Sequence, residues 1–184
     1  MKLIKYEKSS GFVNMQTDED LLNEAIENNS TEPIFRFYGW EPYCVSLGRN
    51  QSDKFVNYEF LKSQNIDVVR RMTGGRALLH AEELTYSCVY PVKALKNGES
   101  VINSFKEISN LWVEVFKTFG IELDYGNKKP DTLYDYCMLV STGADLCYQG
   151  KKLIGSAQCR RNNYIMQHGS ILLRYDRIAR KDFW

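Results

Sequence analysis

Apolar positions fall along the chain in short runs of period two, broken by a few stretches of period three to four, and these two rhythms divide it into elements. Leu21, Leu22, Ala25 and Ile26 share one helical face. Thr17 is placed to cap that helix, with Asp18, Glu19 and Asp20 in its first turn at the positive end of the dipole. Residues 33–38 alternate as a strand with aromatics on one side. A second short strand covers 43–47 and is closed by Gly48-Arg49-Asn50-Gln51, and a short helix covers 58–63. Residues 83–90 alternate as a strand that Pro91 ends. Residues 101–119 carry the plainest helical pattern: Val101, Ile102, Phe105, Ile108, Trp112, Val115, Phe116 and Phe119 recur at steps of three and four. That face is expected to be core, and Gly120 sits where a C′ glycine belongs. A strand at 121–125 and a polar loop at 126–131 follow. Strands at 144–148 and 152–160 pair around Gln149-Gly150, and Asn162-Asn163 turns into a last strand at 164–173. Helices interrupting runs of antiparallel strands imply an α+β fold rather than a doubly wound sheet.

One stretch, residues 68–80, concentrates unusual chemistry. An apolar strand runs into Arg70-Arg71-Met72-Thr73-Gly74-Gly75-Arg76, then a second apolar run ends at His80. The glycine pair allows positive φ and close approach of a ligand to bare N–H groups. The flanking arginines are forked donors suited to phosphate or carboxylate. The same pattern is equally a β-hairpin with a Gly-Gly turn and solvated arginines.

Composition narrows the picture. A chain of 184 residues fits one domain, 1–184, with a real core. A net charge of +1 argues against a general nucleic-acid or membrane role, so any basic patch is local. Five cysteines, an odd count without close pairing, point to reduced thiols in a cytoplasm. With two histidines and no C-x-x-C pair, a structural zinc site is not expected. Neither a signal-peptide segment nor a membrane-spanning run is present in the sequence. Cys44, Cys88 and Cys147 lie in apolar strands and read as core residues, and Cys159 lies in a polar strand where exposure is the default. Cys137 stands apart, following a polar loop rather than continuing an alternating strand. Gly155-Ser156-Ala157 leaves room for something to lie against a strand, although Lys151 and Lys152 beside it are also consistent with a plain hairpin turn. His168, in Gln167-His168-Gly169-Ser170, is either a structural strand residue or part of a site.

Taken together these stretches resemble the lipoate–protein ligase and octanoyltransferase family, which shares a catalytic domain with biotin ligases. The motif from Arg70 to His80 is similar to the family's Arg-Arg, Gly-Gly, Ala and His signature, and Glu83-Leu84-Thr85-Tyr86-Ser87 continues it. Gly150-Lys151-Lys152-Leu153-Ile154-Gly155-Ser156-Ala157-Gln158 resembles the second signature, whose lysine falls on Lys152. Residues 167–172 resemble the third, and Asn14-Met15 and Ser46-Leu47-Gly48-Arg49-Asn50-Gln51 also have counterparts. The resemblance implies a mixed, largely antiparallel sheet flanked by helices, the biotin/lipoyl ligase-like (class II synthetase-like) domain.

Within the family, ligases activate lipoate with ATP through an acyl-adenylate, whereas octanoyltransferases take the acyl group from acyl carrier protein onto their own cysteine. Three features resemble the transferases. Cys137 stands fifteen residues before Lys152, where cysteine-dependent octanoyltransferases carry their nucleophile. The motif reads Gly74-Gly75-Arg76 where many ligases have a third glycine, and the chain stops soon after the third signature. The resemblance therefore implies a cofactor-free and metal-free octanoyltransferase. Cys137 is the nucleophile, and Lys152 lowers its pKa or assists proton transfer. Gly74, Gly75, Gly155, Ser156 and Ala157 wall the acyl slot. Arg70, Arg71 and their neighbours dock the acidic carrier protein, and Thr73, Arg76, His80 and His168 belong to the substrate site. The acceptor is a lysine on a lipoyl-domain protein such as glycine cleavage H protein. Neither nucleic acid nor membrane is a partner, and a monomer suffices. The alternatives are an ATP-dependent lipoate ligase, in which Lys152 contacts the acyl-adenylate and Cys137 is incidental, and a non-catalytic module that binds carrier protein.

Overall fold

A computed structural model describes residues 1–126 and 143–173. The N-terminal unit is β1 (Lys2–Ser9), α1 (Gly11–Glu27) and β2 (Ile34–Trp40), with β1 and β2 parallel. The alternation of β2 is used on both sides. Ile34 joins Leu21, Leu22 and Ala25 of α1, and Phe35 and Phe37 pack on the opposite face. β6 (Leu84–Pro91) lies antiparallel beside β2. β10 (Tyr164–Ile171) follows, then β9 (Lys151–Arg161), β8 (Leu146–Tyr148) and the two-residue β7 (Asp124–Tyr125). The result is a seven-stranded sheet in the order β1-β2-β6-β10-β9-β8-β7, in which only the β1–β2 pairing is parallel. α1 covers one face. α3 (Val101–Lys117) covers the other, where Trp112 sits edge-on to Phe37 at 5.9 Å and 4.5 Å from the Tyr86 ring. The mixed, largely antiparallel α+β architecture expected from the sequence is the one observed.

A second, three-stranded sheet holds the remaining strands. β3 (Cys44–Leu47) lies between β4 (Asp67–Arg70), which it pairs with in parallel, and β5 (Leu78–His80), which it pairs with antiparallel. α2 (Tyr58–Ser63) covers it, burying Leu61 against Val45, Leu47 and Ala77. This arrangement rules out the hairpin reading of residues 68–80. β4 and β5 are not neighbours, because the wholly buried β3 separates them, so the glycine-containing segment crosses the end of β3 instead of reversing tightly.

Other local expectations change as well. The first helix begins at Gly11, not after Thr17. Ser10 is its cap, its hydroxyl accepting from Val13 N at 3.4 Å, and Thr17 lies inside the helix donating to the Val13 carbonyl. Asp18 is consequently a buried helix-interior residue and not a first-turn acid. On α3, Val101, Ile102 and Val115 are exposed, as is Phe119 just beyond it, and the buried stripe is Ser104, Ile108, Ser109 and Trp112. Two serines occupy core positions because their hydroxyls have partners there: Arg160 Nη2 donates to Ser104 at 2.6 Å and Gln167 Nε2 to Ser109 at 3.3 Å. Gly120 does close the helix, with φ +74° and the bonds Ile121 N to Phe116 O and Gly120 N to Lys117 O that define a Schellman end. β1 had no period-two signal because it is a mostly exposed edge strand rich in lysine. Cys44, Cys88 and Cys147 are buried as expected. Cys159 is half-buried against the α1 core rather than exposed, and burial raises its thiol to about 11.

Candidate functional site

The two sheets meet across a cavity holding roughly 540 Å³ of empty space, part of it open to solvent. Most of its wall comes from four places in the chain. The crossover after β4 supplies Arg71, Gly75 and Arg76, and β5 supplies Leu78 and His80. β9 supplies Gly155, Ser156 and Ala157, and β10 supplies His168, Gly169 and Ser170. Met15, Tyr38, Trp40, Ser46 and Thr85 complete the lining. Its apolar character with a few polar groups suits a small ligand. Eight of the residues expected in a site therefore converge: Arg71, Gly75, Arg76, His80, Gly155, Ser156, Ala157 and His168. Arg70, Thr73, Gly74 and Lys152 are not among the lining residues: Arg70 and Gly74 are exposed, while Thr73 and the Lys152 side chain are buried; Cys137 lies outside the described residues.

Small residues keep the cavity open. A Cβ on Gly155 would fall 2.6 Å from Lys152 Cε, and one on Gly169 would fall 2.6 Å from both Ser156 Oγ and Tyr86 Cε1. Gly75 has φ +97°, which strongly favours glycine. Lys152 folds over Gly155, and its ammonium pairs with Asp145 at 3.0 Å in a setting where both side chains are nearly fully buried. A buried cation thus rests against the glycine that forms one wall.

The arginines hold the loops. Arg71 donates to the carbonyls of Ser46 (2.9 Å), Gly74 (3.0 Å) and Arg76 (2.7 Å), so its guanidinium fills the crossover. Arg70 donates to the carbonyls of Gly48 (2.7 Å) and Gln51 (2.8 Å).

Both histidines of the chain sit in hydroxyl–imidazole–carboxylate chains. Ser46 Oγ is 2.8 Å from His80 Nε2, and His80 Nδ1 is 2.5 Å from Glu83 Oε1. Thr73 Oγ1 is 2.7 Å from His168 Nε2, and His168 Nδ1 is 3.4 Å from Asp18 Oδ2. Burial pushes the His80 imidazole below its ordinary value, opposed by the Glu83 carboxylate. Burial also acts to raise the Glu83 carboxyl, but the bonds from His80 and Ala81 N outweigh it and hold the group ionised. Asp18 is held low in the same way: desolvation is overcome by His168, by Arg36 at 2.9 Å and by Ser87 at 2.7 Å. In each chain the carboxylate faces Nδ1 and the hydroxyl faces Nε2, an arrangement that favours a proton on Nδ1.

The sequence reading did not assign roles to Trp40, Ser46, Glu83, Asp18 or Met15. Trp40 stacks on His80 at 3.8 Å and donates through Nε1 to Thr85 at 2.8 Å, a pairing no local pattern reveals. Asp18 left one usable signal: an acid on the apolar face of a helix and an arginine, Arg36, in an apolar strand imply a buried pair.

This arrangement, a small sheet clasped to a large one around a glycine-walled slot, has counterparts among solved structures. The chain superposes on a lipoate-protein ligase A bound with ATP with a TM-score of 0.75 at 24% identity, over 95% of this chain and 67% of that one. It also superposes on a bi-partite lipoate protein ligase from Thermoplasma acidophilum with a TM-score of 0.67 at 21% identity, over 100% of this chain and 69% of that one. At those identities the likeness is one of fold. Residues 10–183 match the family model of the lipoyl protein ligase A/B catalytic domain, and the chain belongs to that family. It is 41% identical over 169 residues to octanoyltransferase LipM of Carboxydothermus hydrogenoformans, covering 91% of this chain and 62% of the relative. It is 36% identical over 182 residues to octanoyltransferase LipM of Macrococcus caseolyticus, covering 94% of this chain and 66% of the relative. The chain thus spans a little under two thirds of the length of these relatives. Among the described residues no cluster of three or more metal-ligating side chains occurs, and no helix is long and apolar enough to cross a membrane.

Proposed function

We propose that the chain is the catalytic domain of an octanoyltransferase. It moves an octanoyl group from acyl carrier protein to a lysine of a lipoyl-domain protein, such as glycine cleavage H protein, through a thioester on Cys137. The observation that carries this reading is the ammonium of Lys152 resting against Gly155, the glycine that walls the slot. The acyl chain lies between the Gly75 crossover and Gly155-Ser156-Ala157, so its carbonyl is offered within reach of that cation. There Lys152 favours the thiolate of Cys137 and the oxyanion that forms when the thiolate attacks. Thioester exchange between two thiols is close to isoenergetic, so ATP is not consumed. The relatives named octanoyltransferase LipM, 41% and 36% identical, support transfer over ligation.

The test is intact-mass measurement after mixing the protein with octanoyl-acyl carrier protein in the absence of ATP. The expected result is one added octanoyl group, lost on treatment with hydroxylamine and never formed by Cys137→Ser. An octanoyl adduct that persists in Cys137→Ser refutes the nucleophile, and lipoate-dependent exchange of pyrophosphate into ATP replaces the reading with a ligase.

A further inference from the structure

Acyl transfer to lysine poses a proton problem that Lys152 does not solve. The acceptor side chain arrives as an ammonium and is no nucleophile until it loses a proton, and Lys152 with Asp145 is already a cation paired with its anion. Resting on the acyl-transfer reading above, we propose that Ser46, His80 and Glu83 form a relay in which His80 is the general base for the acceptor lysine and Ser46 is the hydroxyl that conducts the proton to it.

Geometry distinguishes this chain from its counterpart. Both histidines line the slot and both hydroxyl partners are buried, but Ser46 belongs to the lining together with His80, whereas Thr73, the hydroxyl bonded to His168, does not. Asp18, behind His168, is shared with Arg36, Tyr38 and Ser87, which marks that chain as a structural anchor. Glu83 instead aims at His80 Nδ1 at 2.5 Å, and its other oxygen is held by Ala81 N at 2.7 Å. The ring is clamped flat against Trp40, so Nε2 stays on Ser46 Oγ. Arg71 Nη1 donates to the same Oγ at 3.0 Å, which stabilises negative charge on that oxygen while the proton moves. The charged and titratable groups facing His80 are Glu83, Arg71 and His168, and burial keeps the ring unprotonated at neutral pH.

The step balances as follows. One N–H proton of the ammonium passes to Ser46 Oγ as Ser46 gives its own proton to His80 Nε2, forming an imidazolium held by Glu83. The freed lone pair forms the C–N bond to the acyl carbonyl. The tetrahedral intermediate collapses with cleavage of the bond to the leaving sulfur, which takes a second N–H proton. The imidazolium then releases its proton to solvent. Ser46 and His80 are catalytic residues in this scheme, and Glu83 positions and tunes the ring.

The experiment compares two nucleophiles on preformed octanoyl-enzyme. Hydroxylamine is already unprotonated at neutral pH and needs no base, whereas the lysine of a lipoyl-domain acceptor does. Ser46→Ala, His80→Gln and Glu83→Gln are expected to depress the lysine rate on the order of 100-fold more than the hydroxylamine rate, and Ser46→Thr is expected to restore it. Equal loss with both nucleophiles overturns the relay in favour of a packing role, and undiminished lysine transfer overturns it outright. If the unmodified protein takes no octanoyl group from carrier protein, the thioester reading has failed. The same two nucleophiles are then run against octanoyl-adenylate, where the base is still required and the same outcomes decide.

Discussion

At the scale of single residues, the slot depends on contacts that leave almost no tolerance. Gly155 is the sharpest case, because a methyl there would meet the far end of Lys152 and not rigid backbone. A flexible side chain can move aside, so the fold should absorb the change, but the ammonium must leave its place beside Asp145 and the slot wall. Gly155→Ala is therefore expected to unfold within about 1 kcal/mol of the parent in urea, while octanoyl transfer falls on the order of 100-fold through misplacement of one charge. Loss of stability in step with loss of activity would show that the glycine serves packing alone. Much of this was open to sequence reasoning. Gly75, Gly155-Ser156-Ala157, His80 and His168 were each singled out, and they meet across one cavity. Ser46 and Glu83 appeared only as members of motif runs and Trp40 not at all, because the ring stacked on His80 and the strand that brings Ser46 beside it are placed by the fold and not by a local pattern.

At the scale of elements, α1 is fixed to the large sheet by a polar pin through an otherwise apolar contact. Asp18 takes Arg36 at 2.9 Å and the Tyr38 hydroxyl at 2.8 Å, and Arg36 also donates to Asn14 Oδ1 at 2.7 Å. Asp18→Ala leaves a buried guanidinium without its counter-charge and should cost about 3–5 kcal/mol, read as a drop in the urea midpoint. A change well under 1 kcal/mol would show that water reaches Arg36. α3 offers a second contrast within one residue type, since Ile108 is 1% exposed and Ile102 is 67% exposed. Ile108→Ala is expected to cost about 2–5 kcal/mol and Ile102→Ala to stay within about 0.5 kcal/mol. Periodicity located α3, its Gly120 stop and the core contacts of Ile108, Trp112 and Phe116, but drew the buried face too wide by including Val101, Ile102 and Val115. The true stripe includes Ser104 and Ser109, whose hydroxyls bond across to Arg160 and Gln167. Hydropathy counts a serine as surface, so a helix resting on a sheet through serines looks rotated from sequence alone. The same limit hid the start of α1, where Ser10 and Gly11 carry no apolar signal. The hairpin alternative for residues 68–80 stayed open for a different cause: which strand lies between two others is a property of topology, not of the sequence that joins them.

For the molecule as a whole, the buried titratable groups around the slot make stability depend on pH in one direction. His80 has a folded-state value below its ordinary 6.5, so above 6.5 neither the folded nor the unfolded chain holds a proton there. As pH falls through 6.5 the unfolded chain takes the proton first, and the folded state loses ground by up to about 1.4 kcal/mol per pH unit. Glu83 and Asp18 are held below their ordinary 4.5 and 3.8, so their contributions are fully present above those values and lost on further acidification, again because the unfolded chain protonates first. The three effects share a sign: stability is expected to be flat between about pH 7 and about pH 8, to decline gently from 6.5 and to decline steeply below 4.5; at higher pH the thiols that burial holds protonated, Cys44 and Cys88, weaken the fold in the other direction. Urea midpoints measured from pH 8 to pH 4 check the curve, and His80→Gln separates its parts. That variant should flatten the limb just below 6.5 while keeping the acid limb set by Asp18. A slope near pH 6 that survives the substitution would mean that His80 is not the proton acceptor on that limb. Because the transfer relay needs the folded ring unprotonated, the lysine rate should hold its His80-dependent advantage through the limb that weakens the fold and lose it only at lower pH, where the folded chain itself takes the proton.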